Sequence, residues 1–116
     1  MTENSSSEMP HGGLGQDRIP AGYTSHKRTP TFDYASVPDG LKAAHATKAG
    51  VWGLIVVEQG EVHYTIDKTS DEANASFTLT PDVPGVVAPT ELHHVRLEDD
   101  DTRFHVEFYR AAAPTI

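Results

Sequence analysis

Val51-Trp52-Gly53-Leu54-Ile55-Val56-Val57 is the stretch of this chain whose reading decides its fold. β-Branched and aromatic residues crowd it, which suits a pleated strand. Side chains of a strand alternate between its two faces, and here apolar groups point both ways. A strand buried on both faces belongs in a sandwich, in a closed barrel or at a subunit interface. It is also the longest apolar run in the sequence, far short of the ~20 residues that span a bilayer as a helix.

Outward from this strand, Gln59-Gly60 marks a tight turn, and Glu61 to Ile66 reads as the returning arm of a hairpin. Val62, Tyr64 and Ile66 share one face of that arm by the two-residue period. Asp67 to Asn74 is a polar loop and Ala75 to Leu79 a short strand. Pro81, Pro84 and Pro89 punctuate the next part, since proline donates nothing to a ladder. His93 to Leu97 and Arg103 to Tyr109 read as a last pair of strands across the acidic turn Glu98-Asp99-Asp100-Asp101. Upstream, order begins near Thr31 to Tyr34. Leu41 to Thr47, pinned between Gly40 and Gly50, reads as a strand carrying His45. Roughly seven or eight short strands with Gly, Pro and Asp turns predict an all-β sandwich or barrel.

The chain has 116 residues, enough for one core. Its Ser-, Gly- and Pro-rich start lacks the apolar area that would offset the entropy of ordering it. The expected organisation is therefore a flexible arm over 1–28, a β domain over 29–112 and a short tail over 113–116. Gly12-Gly13-Leu14-Gly15 is not a phosphate loop, because no Lys-Ser or Lys-Thr pair follows it. A formal net charge of −8 argues against nucleic acid and against anionic membrane surfaces. With no cysteine in the chain, disulfides, thiolate nucleophiles and zinc–thiolate sites are excluded. The first twenty residues lack the pattern of a secretory signal, so a cytoplasmic setting is expected. A domain this small with a strand apolar on both faces predicts a homodimer.

Any transition-metal site must be built from His, Asp and Glu. Of the seven histidines, His11 and His26 fall in the arm. His105 and Glu107 stand on one face of their strand, opposite Phe104, Val106 and Phe108. That polar face is either solvated or turned into a polar lumen near a metal. His93 and His94 diverge as strand neighbours, so at most one of them is a ligand. Glu91 could hold the far nitrogen of a liganding imidazole. Ser36 lies in no nucleophile elbow, and no Ser/His/Asp grouping has a defined context.

His45-Ala46-Thr47-Lys48-Ala49-Gly50-Val51-Trp52-Gly53, running on to Tyr64, resembles the small cupin-like domain of the tellurite-resistance TehB and YeaR-like proteins. Pro89-Thr90-Glu91-Leu92-His93-His94 and the closing Phe104 to Tyr109 strand extend the match. The resemblance implies a double-stranded β-helix, a cupin-like barrel, with a divalent metal in its lumen: zinc, iron, nickel or manganese. It places His94, five residues after Pro89, at the second-motif histidine. Thr47, Ala49 and Gly53 stand where ordinary cupins carry first-motif ligands. His45 is then the replacement, with His105 and Glu107 as further ligands. Lys48, Trp52, Tyr64, Glu91 and His93 are expected around the pocket. By association the domain would bind metal and serve tellurite, oxyanion or stress tolerance. The alternatives are a metal-dependent cupin enzyme acting on a small molecule, and a metal-free interaction module. Some members carry a fused methyltransferase, and 116 residues leave no room for one.

Overall fold

A computed structural model of the chain describes residues 14–15, 18–67 and 74–112. Its elements are β1 (Leu14–Gly15), β2 (Tyr23–Arg28), α1 (Asp39–Lys42), β3 (Trp52–Gln59), β4 (Val62–Ile66), β5 (Ala75–Leu79), β6 (Gly85–Val87), β7 (His93–Arg96) and β8 (Arg103–Ala111). They form two sheets, one of five strands in the order β1-β6-β3-β8-β2 and one of three in the order β5-β4-β7. All pairings are antiparallel except β1 with β6.

The Val51–Val57 stretch is the centre of the larger sheet, with β6 on one edge and β8 on the other. Because both its ladders are taken, the strand that follows Gly60 cannot fold back as its hairpin partner. It crosses instead to the second sheet and pairs with β5 and β7. The same correction applies to the last pair: β7 joins β4, whereas β8 joins β3 and β2. Gly60 makes the first crossing, at φ +81°, where an added Cβ would lie 2.8 Å from Thr102 Oγ1 and 3.1 Å from its Cα. Neither the conformation nor the space admits a side chain.

The expected barrel is not formed. Consecutive strands pass between layers, no ladder joins the described strands of one sheet to those of the other, and the sheets stay open without strong curling. A barrel needs a continuous ladder around its circumference. The fold is an all-β sandwich. Between the layers pack Ile55, Val57, Val87, Phe104 and Val106 from the larger sheet against Val62, Tyr64, Ile66, Leu79 and Val95 from the smaller.

The outer face of the larger sheet accounts for the other apolar side of β3. Leu54, Val86 and Tyr109 form a second cluster there, covered by Ile19, which is only 2% exposed. The arm boundary at residue 28 therefore moves: Tyr23–Arg28 is the edge strand beside β8, and Ile19 is core. Isolated Ser, Gly and Pro residues concealed one buried isoleucine and an edge strand whose side chains are mostly exposed. Residues 1–13 and 113–116 lie outside the described residues. Among the described residues, no helix is long and apolar enough to cross a membrane.

Leu41 to Thr47 is no strand. Pro38 starts a single helical turn, α1, that ends at the extended Ala43. The chain then touches β7 through one antiparallel bridge, His45 to His93.

Ile19→Ala should lower unfolding free energy by about 2–5 kcal/mol, the cost of emptying a buried aliphatic site. Tyr34→Ala, at a side chain 54% exposed, should stay within about 0.5 kcal/mol. Urea titration followed by far-UV circular dichroism separates the two.

Candidate ligand-binding site

The sheets and the 38–47 segment enclose a cavity of about 430 Å³. Phe32, Leu41, Ile55, Val87, Phe104 and Phe108 contribute its apolar wall. They are there for a local reason: the odd residues of β3 and the even residues of β8 face the smaller sheet, while α1 lays Leu41 across the opening. Gly53 belongs to the same wall, and a Cβ on it would come within 3.3 Å of Val87 Cβ.

One end of the cavity is polar. His45 and His93 exchange both backbone hydrogen bonds, each 2.9 Å, and their rings lie 4.1 Å apart between centroids. Each ring is held by its own chain: His45 Nδ1 donates to the Ala43 carbonyl and His93 Nδ1 to the Glu91 carbonyl, both at 2.9 Å. A carbonyl oxygen only accepts, so Nδ1 carries the proton in each neutral ring and Nε2 keeps its lone pair. Burial pushes the His93 pKa down to about 4, against the weaker opposing pull of its bond to Glu91. His93 is thus a neutral imidazole at ordinary pH. Tyr64 stands edge-on to it, 5.9 Å between centroids, and donates to the Val86 carbonyl at 2.8 Å. Burial, then the Glu91 charge, raises the Tyr64 pKa.

The four residues expected to share a metal occupy three different places. His45 is at the cavity. His94 points to the other side of β7, where Nδ1 meets Asp67 Oδ2 at 2.8 Å beside a surface groove with Lys42 and Arg96. His105 and Glu107 lie on the outer face of the larger sheet, across from Val56 and Leu54 in register. Among the described residues no three His, Asp or Glu side chains converge on a point that could hold a metal ion. The expected ligand set is corrected accordingly: His45, His94, His105 and Glu107 are not brought together at one site. The proline spacing pointed to His94, yet strand alternation turns His93, which is 4% exposed, inward to His45.

The remaining pocket residues divide similarly. Trp52 is half-buried on the outer cluster and Lys48 is exposed. Tyr64 is wholly buried between the sheets. The Glu91 carboxylate makes no such contact; its backbone carbonyl accepts from His93 Nδ1 instead. The carboxylate atom Oε1 is buried with no hydrogen-bond partner among the described residues.

His105 has a site of its own. Nδ1 lies 2.6 Å from Glu58 Oε2 and Nε2 2.9 Å from Glu107 Oε2, and the Tyr109 hydroxyl donates to Glu107 Oε1 at 3.1 Å. Both ring nitrogens of His105 are therefore engaged by carboxylates, one from β3 and one from its own strand. Glu58 reaches the ring because it is the extra residue of a bulge between Val57 and Gln59. The hydrogen bond from His105, then that from Thr31, holds the Glu58 carboxyl below its usual range. Burial, then the Glu107 charge, pushes Tyr109 up to about 12. Sequence reasoning missed Glu58 and Asp67, whose partners lie 47 and 27 residues away.

An apolar cavity between two sheets with paired imidazoles at one end marks a small β-sandwich domain. The chain belongs to the TehB-like domain family, whose model matches residues 27–106. It is 27% identical over 99 residues to the uncharacterized protein YeaR of Escherichia coli (strain K12), covering 81% of this chain and 83% of YeaR. Among solved structures it resembles TehB from Haemophilus influenzae, with a TM-score of 0.71 and 25% identity over 78% of this chain. The chain spans 32% of that TehB. It also resembles a protein of E. coli (strain K12), with a TM-score of 0.75 and 26% identity, covering 84% of this chain and 100% of the other.

Two pH profiles follow. His93 has a folded pKa below its ordinary 6.5, so its contribution is complete above pH 6.5 and is lost as pH falls towards 4. His93→Phe should flatten the stability slope in that window, read from urea midpoints at successive pH values. Glu58 is depressed below its ordinary 4.5, so its contribution is present above pH 4.5 and is lost as pH falls through the folded value. Thermal melts of Glu58→Gln should therefore show a shallower decline below pH 4.5 than wild type does.

Proposed function

We propose that this chain is a binding domain for a small, largely apolar molecule, seated in the inter-sheet cavity with its polar end against His45 and His93. One observation carries the reading: an apolar chamber of about 430 Å³ that terminates in two oriented imidazoles. Small-molecule sites commonly have this character, a mostly apolar lining with a few placed polar groups. A ligand burying about 200 Å² of apolar surface would gain about 5 kcal/mol before the costs of association, so micromolar to millimolar affinity is expected.

Binding is the reading because, among the described residues, the cavity lining includes no serine, lysine or carboxylate. An oxyanion is a poor occupant, since neutral His93 presents a lone pair to it.

Methyl NMR with a library of small apolar fragments tests the proposal. Shifts concentrated on Ile55, Val87 and Val95 support it. Shifts scattered over the surface, or none, contradict it. Stoichiometric divalent metal in wild type, lost in His45→Ala, would instead assign the imidazole pair to a metal.

A further inference from the structure

The hydrogen-bonding capacity of the side chains on the cavity wall has one sign when its imidazoles are neutral. Four polar side chains line it: Thr29, His45, Thr47 and His93. The Thr29 hydroxyl donates to the Pro30 carbonyl at 2.8 Å and accepts from the Val106 amide at 3.0 Å. The Thr47 hydroxyl donates to the Val51 carbonyl at 2.8 Å. The ring N–H groups of His45 and His93 are spent on Ala43 and Glu91. In its neutral form each ring has its one N–H committed to backbone, and what it leaves free is the Nε2 lone pair.

Those lone pairs are reachable. Among the described residues the only fully buried, unpartnered side-chain polar atom is Glu91 Oε1, so His93 Nε2 is not sealed inside the protein. His93 lines the cavity, and its ring is 4.1 Å from that of His45, close enough for one donor group to meet both. Lys and Arg are absent from the wall.

We infer that the cavity selects an organic cation, a primary ammonium or amidinium on a short apolar body, over a carboxylate or phosphate of the same shape. The inference rests on the proposed cavity-binding reading and adds the chemistry of the ligand's head. A carboxylate would set lone pairs against lone pairs, and an uncharged body would leave the two nitrogens without donors.

The test uses the full chain after EDTA treatment, at pH 7.5 and 0.15 M salt. Three matched probes are titrated by methyl NMR: phenethylammonium, 3-phenylpropionate and ethylbenzene. Phenethylammonium should bind roughly tenfold or more tightly than 3-phenylpropionate, the scale of a charge-assisted hydrogen bond. That preference should collapse in His45→Phe, which keeps a ring but loses the acceptor. In wild type, independently of any variant, the imidazole ¹⁵Nε2 resonances should move as the amine is added. If no probe shifts the cavity methyls, the cavity-binding reading itself fails. If all three bind with the carboxylate equal or better, that reading stands and the cation inference is overturned. Amine binding that needs added zinc after EDTA, or that persists unchanged in His45→Phe, also overturns it.

Discussion

The spacing of the two sheets is set where Tyr64 reaches across to Val86. Its hydroxyl donates to the Val86 carbonyl at 2.8 Å in a wholly buried setting. Such a bond is worth only about 1 kcal/mol net, but its loss would strand two buried polar groups at a larger cost. Gly85 makes the approach feasible: a Cβ there would lie 2.7 Å from Leu79 Cδ1 and 3.1 Å from Tyr64 Cδ2. The layers are thus pinned tightly at one place. Towards α1 the lining includes Gly53, which contributes no side chain, and space between the layers remains as the cavity. Cores elsewhere pack to near-crystalline density, so an unfilled apolar chamber beside so tight a contact reads as a chamber for something.

The polar end depends on two backbone segments gripping each other. The 43–47 segment and the 89–93 segment are joined by the reciprocal His45–His93 bonds and by the Thr90 amide donating to the Thr47 carbonyl at 3.1 Å. Thr90 adopts φ 64°, which a β-branched residue rarely does. That turn lets the carbonyl of Glu91 face the Nδ1 of His93 two residues later. Backbone strain of this kind persists only where surrounding contacts over-determine it, and here it fixes the tautomer of a ring.

Strand content was legible in the sequence because alternation is a local property. The two-residue period placed Val62, Tyr64 and Ile66 on one face, and opposed Phe104 and Val106 to His105 and Glu107, as the structure has them. Partner choice was not legible. Whether Gly60 turns β4 back beside β3 or sends it to another layer depends on β6 and β8, up to 50 residues away, having occupied both edges of β3. Closure into a barrel is a property of the whole ladder and left no local mark. The same limit governs the site. His45 was found from its motif, but choosing between His93 and His94 required knowing which face of β7 meets the core. Glu58 needed a bulge that no residue type announces.

Alternation also explains how one sequence keeps its histidines in different surroundings. His93 faces the dry interior, where losing water favours the neutral ring and its N–H is satisfied by a carbonyl. His105, equally buried, has a carboxylate within hydrogen-bond distance of each ring nitrogen. The two are separated by the thickness of the larger sheet, whose apolar strands keep the outer network's charge from the cavity. A lone pair can therefore stay available inside a chain whose formal charge is −8, because no Asp or Glu among the described residues lines the cavity. The sandwich makes this separation possible in a way a single polar lumen would not: it has two distinct faces on which to place the same residue type, and the strand period decides which face each one receives.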